Sequence, residues 1–531
     1  MADGGAGDGT LDFRRDRLVI VASTLGTVFE WYDFFIYGTL ATIIGRQFFP
    51  ASSETAQFLL ALASFGVGFG VRPLGAALFG HFGDRLGRKY TFLATIALMG
   101  VATAGVGLVP SYATIGMAAP VLLVLLRVMQ GLALGGEYGG AAIYVAEHAP
   151  AEKRGFYTSF IQAGVIGGFL LSLMVVLFAE GLVGREAWAA WGWRLPFLFS
   201  VVLLGISLWI RMKLSESPVF KAMKEAGEIA RNPLGESFRS ASNVRLMLVA
   251  LFGIAAGLTV IWYTAQFQVM YFLQNALRVD DTVARLTVGA AAVFSLGWFI
   301  LFGRLSDRIG RRKPILIGYA LTLVLMFPLF HGLAAVANPA LAQAQARAPV
   351  VVAGSGCAYN PFAQTQASPC GALLDALARK GVAYTKTAGA AGAAPVVTIG
   401  GTAVDARDPA ALDAALKGAG YPIDKVRPGF GAAVAMVALI VVIGFLSGMT
   451  YGPVAALLVE LFPARIRYTS MSVPYHLGTG YFGGFLPFIS QFIVVKTGDP
   501  FSGLWYTIAV VAMALVVTFF GLPETAGKRL D

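Results

Sequence analysis

Two pairs of repeated motifs decide the fold of this chain. Residues 80–89 read Gly80-His-Phe-Gly-Asp84-Arg85-Leu-Gly87-Arg88-Lys89, and residues 303–312 read Gly303-Arg-Leu-Ser-Asp307-Arg308-Ile-Gly310-Arg311-Arg312, an offset of 307 − 84 = 223. Glu147-His-Ala-Pro150 followed by Arg154 recurs as Glu460-Leu-Phe-Pro463 followed by Arg467, an offset of 460 − 147 = 313. The same order in both copies indicates two related halves. The larger second offset indicates an insertion of 313 − 223 = 90 residues in the second half.

The composition places both halves in a membrane. Of 531 residues, 57% are hydrophobic and 13% are charged, whereas about a quarter of a soluble chain is charged. A membrane-spanning helix needs about 20 mainly apolar residues. Twelve stretches meet this requirement: 18–44, 57–82, 91–109, 115–145, 155–179, 194–212, 244–275, 284–303, 314–336, 429–459, 468–495 and 501–522.

The net charge of +11 reflects topology and does not indicate nucleic acid binding. Lys and Arg are retained on the cytoplasmic side during insertion, and basic residues cluster in alternate loops. The opposite short loops hold few, for example Arg46 and Arg185. Both termini are therefore expected in the cytoplasm. The predicted parts are a cytoplasmic tail (1–17), an N-terminal six-helix bundle (18–212), a cytoplasmic linker (213–243) and a C-terminal six-helix bundle (244–531).

Residues 337–428, between the ninth and tenth spans, form the insertion and are expected outside the membrane. They are rich in Ala and Gly and have no long apolar run. The pattern predicts strands near Pro349–Ala353 and Val396–Gly400, and helices near Cys370–Lys380 and Pro409–Gly418. Both cysteines of the chain, Cys357 and Cys370, lie here. In an oxidising compartment they can form a disulfide; the alternative is two separate thiols.

The loop motif, its copy and the helix count together resemble the major facilitator superfamily. Further stretches resemble its metabolite:proton symporter branch, whose members carry shikimate, 2-oxoglutarate, citrate and proline or betaine. These stretches are residues 29–38 (FEWYDFFIYG), 72–75 (RPLG), 127–140 (RVMQGLALGGEYGG), 214–218 (LSESP) and 522–525 (LPET). The resemblance implies an all-α membrane protein of twelve helices in two six-helix pseudo-repeats, to which this chain adds a small α/β insert. It also implies a monomer in a bacterial inner membrane that binds a small-molecule substrate and protons.

Ionisable residues inside a bilayer are costly and are typical of functional sites. The apolar spans contain Asp33, Arg127, Glu30, Glu137, Arg72 and His476. Asp33 and Arg127 lie in spans one and four, and the resemblance supports pairing them, since related sugar–proton symporters pair an aspartate and an arginine of these spans. A substrate that competes for Arg127 would free Asp33 to bind a proton. The alternative is a static ion pair that fixes helix packing.

Three further charged residues have two interpretations each. Glu30, one helical turn before Asp33, either shares the proton or faces a neighbouring helix. Glu137 either relays protons or packs among its flanking glycines. Arg72 and Arg127 together make a positive pocket that favours a carboxylate, unless Arg72 binds helix-end carbonyls beside Pro73.

Neutral polar and aromatic residues of the spans are candidates for substrate contact, because buried polar groups need partners that a ligand can supply. Each of them alone is more often a helix-packing residue than a ligand contact, so the group carries more weight than its members. The candidates are Tyr37, Gln130, Tyr138 and Gln162 in the first half and Trp262, Tyr263, Gln266, Tyr451, Tyr475 and His476 in the second.

The charged residues of the repeated motifs are predicted to form a cytoplasmic gate that breaks when the halves rock. The alternative is that they serve only to set topology. The gate residues are Asp84, Arg85, Arg88, Glu147 and Arg154 in the first half and Asp307, Arg308, Arg311, Glu460 and Arg467 in the second.

The sequence lacks the patterns of a nucleotide site or a metal site, having four histidines, two cysteines and no phosphate-binding loop motif. No enzyme activity, cofactor or metal is expected. The favoured function is proton-coupled uptake of a small organic acid or zwitterion by alternating access. The alternatives are an uncoupled facilitator or exporter of the same fold, and a receptor or docking protein that acts through the insert.

Overall fold

The computed structural model describes residues 13–49, 53–86, 88–136, 138–212, 232–355, 357–363, 366–389, 394–404, 409–422, 424–528 and 530. Most of the predicted tail (1–17), most of the linker (213–243) and Glu137 therefore lie outside the described residues. So do the side chains of Asp84, Arg85, Arg88 and Tyr138.

The first half of the chain is a set of long apolar helices. A short 3-10 turn precedes each of the last two. The helices are Phe13–Thr39, Ala41–Phe48, Glu54–Gly70, Arg72–Leu86, Arg88–Leu108, Tyr112–Ile115, Ala118–Gly135, Tyr138–His148, Arg154–Ala190 and Leu195–Met212.

The second half repeats this arrangement after a short helix, Pro233–Arg239. Its helix Ala241–Ala276 contains three π-helical segments, at Val249–Ala255, Thr264–Gln268 and Phe272–Ala276. A fourth lies at Gly478–Gly484. Such segments occur often at functional sites. The other helices are Asp281–Ile309, Arg312–Ala337, Phe430–Tyr451, Val454–Leu461, Arg467–Leu477, Leu486–Thr497 and Leu504–Gly521.

Within the described residues, ten helices are long and apolar enough to cross a membrane. The predicted spans 18–44 and 91–109 fall on the helices Phe13–Thr39 and Arg88–Leu108. Large apolar side chains on the outer surface are well exposed, such as Leu108 (69%), Phe178 (68%) and Phe520 (77%). An apolar outer surface of this kind suits contact with lipid rather than water.

Glycines set the closest helix crossing of the first half. The helix that contains Gly131 runs so near the helix that contains Gly68 that a Cβ on Gly131 would come within 1.9 Å of the Gly68 carbonyl oxygen. About one turn further on, a Cβ on Gly135 would come within 2.1 Å of the Arg72 carbonyl oxygen. Small residues allow such backbone contact in membranes, and here they bring Arg72 and Arg127 into the same interior.

The insert between Ala337 and Phe430 has its own core. Four strands, β1 (Val350–Gly354), β2 (Thr385–Ala388), β3 (Val396–Ile399) and β4 (Thr402–Val404), form one sheet in the order β2-β1-β3-β4, in which only β1 and β2 are parallel. Its helices are Pro339–Arg347, Pro369–Arg379 and Pro409–Gly418. The first helix and the strands β2 and β4 are additions to the four elements that the sequence predicts. Cys357 and Cys370 form a disulfide.

Candidate functional site

Arg127 lies fully buried at the centre of the first half. Its guanidinium faces the rings of Phe34, at 4.2 Å, and Tyr37, at 4.4 Å, a cation–π arrangement that helps to hold a charge away from water. Its Nη1 donates to Gln130 Oε1 at 2.5 Å. The aromatic run at residues 29–38 thus surrounds the arginine of the fourth span.

Arg72 is also fully buried. Its guanidinium faces Trp31 at 5.2 Å and Phe69 at 5.3 Å. Its Nη1 donates to Thr479 Oγ1 at 3.5 Å. Since Thr479 belongs to the π-helical segment Gly478–Gly484, Arg72 links the two halves through their interior.

Asp33 does not pair directly with Arg127 as the sequence predicts. The Asp33 side chain is 5% exposed and its Oδ1 accepts from Ser200 Oγ at 2.5 Å. Gln130 lies between the two charged residues. Its Nε2 donates to Thr103 Oγ1 at 2.7 Å and to the Asp33 carbonyl oxygen at 3.5 Å. Gln130 therefore links Arg127 to the main chain of Asp33, whereas the Asp33 carboxylate faces Ser200.

An aromatic cluster fills the space between the halves beside Arg127. Trp262 stacks on Phe35 with ring centres 5.0 Å apart, and Tyr263 meets Phe69 edge to face at 5.4 Å. The cluster is defined here as Phe34, Phe35, Phe65, Phe69, Trp262, Tyr263 and Phe267. Sequence reasoning named only Trp262 and Tyr263 among them. The run of aromatic residues at 29–38 was the available signal for Phe34 and Phe35, and the phenylalanines at 65 and 69 stood out in the second span, whereas nothing marked Phe267.

Several donors that face this region have no hydrogen-bond partner among the described residues. They are Arg127 Nε and Nη2, Trp262 Nε1 and the Tyr263 hydroxyl. Leaving a buried donor unsatisfied costs free energy, so each such group in a native protein needs an explanation. A polar ligand with acceptor oxygens would satisfy all of them.

The other predicted site residues are also buried. The Tyr37 hydroxyl shares a hydrogen bond with Ser64 Oγ, and the Tyr451 and Tyr475 hydroxyls lie 2.7 Å apart. His476 follows Tyr475 and is fully buried. Glu30, Gln162 and Gln266 are each 6% exposed or less. Their burial is compatible with either a ligand contact or a packing role.

The repeated Glu–Arg motifs pair with each other across the halves. Arg154 Nη1 lies 2.8 Å from Glu460 Oε1, and Arg467 Nη1 lies 3.1 Å from Glu147 Oε1. The glutamate of each motif therefore forms an ion pair with the arginine of the other motif. We call the end of the bundle that carries these pairs the basic end, and the opposite end the insert end.

A second group of contacts centres on Glu460 at the basic end. Arg311 donates to Glu460 through Nε at 3.1 Å and Nη2 at 2.9 Å, and its Nη1 lies 2.6 Å from Asp307 Oδ1. Asp307 in turn accepts from the backbone N–H groups of Gly155 and Phe156. Arg308, which the sequence places in the gate, is exposed and forms no ion pair with the described residues.

The C-terminal residues after the last helix join this network. Glu524 accepts from the backbone N–H of Arg311 at 2.8 Å and of Arg312 at 3.2 Å, at the start of helix Arg312–Ala337. Burial raises the pKa of Glu524, but these and neighbouring backbone N–H groups outweigh it, so its pKa lies below the ordinary value. Thr525 Oγ1 donates to Glu460 Oε2 at 2.9 Å. The sequence motif at 522–525 thus caps a helix and supports Glu460.

The halves are also joined at the insert end, a feature that sequence reasoning missed. Arg285 pairs with Glu180 of the first half, with 6% and 16% of the side chains exposed. Asp280 Oδ2 lies 3.4 Å from Nη2 of Arg185, which belongs to the first half, and 3.3 Å from Nη2 of Arg427. These contacts join the first half to the second half and to the insert at this end of the bundle.

Comparisons with known proteins agree with a multi-pass membrane transporter. A family model described as sugar (and other) transporter matches residues 18–250 and 415–531. The chain belongs to this family of the major facilitator superfamily, and it is a transporter rather than an enzyme. The family match leaves residues 251–414, with most of the insert, unmatched.

Curated relatives and solved structures give the same class. The inner membrane metabolite transport protein YhjE of Escherichia coli is 34% identical over 94% of this chain and 92% of its own length. The shikimate transporter of Escherichia coli is 41% identical over 62% of this chain and 75% of its own. The proline/betaine transporter of Salmonella typhimurium is 38% identical over 61% of this chain and 66% of its own length. A structure of the proton:xylose symporter XylE has a TM-score of 0.62 at 18% identity over 97% of both chains, which shows the shared fold.

Proposed function

We propose that the protein takes up a small organic acid or zwitterion together with a proton by alternating access. The observation that carries this proposal is the pair of unsatisfied guanidinium nitrogens on Arg127, next to an aromatic cluster and linked by Gln130 to the main chain of Asp33. A carboxylate fits the guanidinium with two parallel hydrogen bonds.

Charge balance in the interior gives a reason for coupling. Asp33 and Arg127 are both buried, so an ionised Asp33 offsets part of the charge of Arg127 in the same interior, where isolated charges are costly. When Asp33 binds a proton, that offset disappears, and a substrate carboxylate on Arg127 restores it. Proton binding and anion binding therefore favour one another. Because Arg127 does not contact the Asp33 carboxylate, the coupling acts through the electrostatic field of the interior and not through exchange of a direct ion pair.

The relatives named above support the substrate class. Shikimate, proline and betaine all carry a carboxylate, and betaine also carries a quaternary ammonium group. Aromatic faces bind such cations well, and the aromatic cluster lies beside Arg127. One site of this composition accommodates an organic acid or a zwitterion.

The topology completes the proposal. The helices Phe13–Thr39 and Arg88–Leu108, added to the ten apolar helices, make twelve spans. The basic end faces the cytoplasm of a bacterium with both termini, as the positive-inside rule requires, and the insert lies outside the inner membrane. The halves are 18–212 and 244–531, joined by the linker 213–243. One chain contains the whole site and acts as a monomer.

Proteoliposomes under an imposed inward proton gradient test this function. Labelled shikimate, 2-oxoglutarate, citrate and betaine are offered to the wild type, to Asp33→Asn and to Glu186→Gln, whose carboxylate is exposed. We expect the gradient to stimulate uptake of one compound, with alkalinisation of the medium. The stimulation should disappear in Asp33→Asn, while exchange of substrate across the membrane persists. Uptake by the wild type that is indifferent to the gradient would reduce the protein to a facilitator.

A further inference from the structure

A cavity at the insert end is lined by all three parts of the molecule. The first half contributes Arg46, Glu54 and Phe58, and the second half contributes Phe272 and Arg278. The insert contributes Ala378, residues 381–384 and Lys425. The empty volume is about 1150 Å³, including the mouth toward solvent. We call this space the seam cavity.

The insert forms a fixed wall of the seam cavity because it is bonded to the second half. Val279 and Val426 form a parallel β-bridge between the insert and the loop after helix Ala241–Ala276. The Tyr384 N–H donates to the Gly498 carbonyl oxygen at 3.2 Å, and Lys496 Nζ donates to the Tyr359 carbonyl oxygen at 2.5 Å. The opposite wall belongs to the first half, so the cavity spans the interface that opens and closes in transport.

The lining of the seam cavity is basic. Its charged residues are Arg46, Arg278 and Lys425 against the single carboxylate of Glu54. Arg46 pairs with Glu54 at 3.0 Å, with 55% and 72% of the side chains exposed. Lys425 pairs at 2.6 Å with Asp281, with 39% and 47% exposed. Ion pairs as exposed as these are weak, so a carboxylate ligand can compete for either base.

Arg278 is held at the seam by an unusual backbone conformation. Among the described residues it is the non-glycine residue with positive φ, at 59°. Its carbonyl oxygen accepts from the Val426 N–H at 2.7 Å. Its side chain packs against Gly381 of the insert: a Cβ added to Gly381 would lie 3.2 Å from Arg278 Cδ. Strained backbone of this kind persists where the surroundings impose it, and it is typical of ligand sites. Here contact with the insert imposes it.

We infer that the seam cavity is a second binding site, for a small organic anion that bears a carboxylate, reached from outside before the central site. The amides of Gln274, Asn275 and Gln491 add hydrogen-bonding groups, and the rings of Phe58 and Phe272 add an apolar surface. The identity of this anion with the transported substrate rests on the proposed function. The positive lining itself does not.

A thiol placed in the cavity measures its electrostatic potential without any transport. Both native cysteines are joined in a disulfide, so Ala383→Cys introduces a single reactive group into the lining. Its reaction rates with a sulfonate-bearing and a trimethylammonium-bearing methanethiosulfonate reagent are compared. Because a basic cleft concentrates anions, we expect the sulfonate reagent to be favoured. Added Lys425→Gln should lower the rate ratio by about threefold or more, and high salt should do the same.

Two variants control the charge argument. Lys425→Arg should keep the ratio, and Lys417→Gln, an exposed lysine of the insert outside the lining, should leave it unchanged. Equal rates for both reagents, or a ratio unaffected by Lys425→Gln, would overturn the inference.

Uptake by proteoliposomes then tests whether the transported substrate uses the site. Lys425→Gln should raise KM by about threefold or more with the maximal rate retained, while Lys417→Gln changes neither. An unchanged KM beside active wild-type uptake would contradict the role in transport. If the wild type takes up none of the compounds, the proposed function fails, and the thiol rates still decide whether the cavity attracts anions.

Discussion

Gln130 joins Arg127 to two neighbouring helices in the interior of the first half. Its amide carbonyl accepts from Arg127 and its NH₂ group donates to Thr103 and to the backbone of Asp33. Both ends of the amide are therefore used. An amide is neutral and carries both donors and an acceptor, so it joins these groups without a proton transfer of its own. Gln130 thereby fixes the position of the Arg127 guanidinium relative to the helix that contains Asp33.

Trp262 provides a test of substrate contact that leaves packing largely in place. Trp262→Phe retains a ring to stack on Phe35 but removes the indole N–H, which has no partner among the described residues. If the substrate accepts from this N–H, KM should rise by about tenfold, the equivalent of about 1.4 kcal/mol, within the range of one hydrogen bond. The measurement is initial uptake rate against substrate concentration. Trp505→Phe, at a 60% exposed site, is the control and should behave as the wild type.

The sequence identified the charged residues of this site but not their partners. Intramembrane charge alone pointed to Asp33, Arg72 and Arg127. Ser200 and Thr103 are ordinary hydroxyl residues in apolar helices, and nothing in the linear pattern brings them to Asp33 and Gln130. The direct Asp33–Arg127 pair was expected because span positions do not reveal which way each side chain turns.

At the scale of helices, glycine spacing determines whether the site can form. The Gly68–Gly131 crossing leaves no room for a methyl group, because the nearest atom is a backbone oxygen that cannot move without its helix. Gly131→Ala should therefore destabilise the protein by about 1–3 kcal/mol, the usual cost of overpacking. Thermal unfolding in detergent measures this. At Gly205 nothing lies within 4 Å of the added Cβ, so Gly205→Ala should be neutral or slightly stabilising. Equal midpoints for the two variants would show that the helices separate easily.

The cap at helix Arg312–Ala337 predicts a pH dependence. Because the pKa of Glu524 is lowered in the folded protein, its contribution to stability is fully present above the ordinary glutamate pKa of about 4.5. That contribution is lost as the pH falls through the lowered folded value. Between pH 6 and pH 3 the wild type should therefore lose more thermal stability than Glu524→Gln. Glu152→Gln, an exposed site, should follow the wild type. If thermal stability falls equally with pH in the wild type and in Glu524→Gln, the charge of Glu524 does not stabilise the cap.

The elements of the insert were predictable only in part. Apolar alternation and helix-start residues located the helix found at Pro369–Arg379 and the strand found at Val350–Gly354. Strand β2 has no buried position, so it shows no alternation of apolar and polar residues, and β4 is three residues long. Such elements form because neighbouring strands offer hydrogen bonds, and the sequence does not show which strands those are.

At the scale of the whole molecule, the reciprocal Glu–Arg pairs join the halves at the basic end. Reversing one charge, Arg467→Glu, places two acids together where 4% and 14% of the side chains are exposed. That should open the basic end, because a buried charge without its partner is costly. The double variant Glu147→Arg/Arg467→Glu restores opposite charges and should close it again.

Distances between spin labels on the two halves at this end would measure the opening. The same exchange at Arg465 and Glu236, a pair with 68% and 30% exposed, is the control and should leave the distances unchanged. If the double variant stays as open as Arg467→Glu, the pair does not act as a reversible lock.

The Val279–Val426 bridge also has a consequence for how the molecule is made. The two bridged residues are 426 − 279 = 147 positions apart, and everything between them, including the disulfide-linked module, must leave the ribosome before they can meet. Contacts of such long sequence separation form late in folding. The first half can therefore assemble during synthesis, whereas the loop after helix Ala241–Ala276 is completed only once the module, which the proposed topology places outside the membrane, has folded.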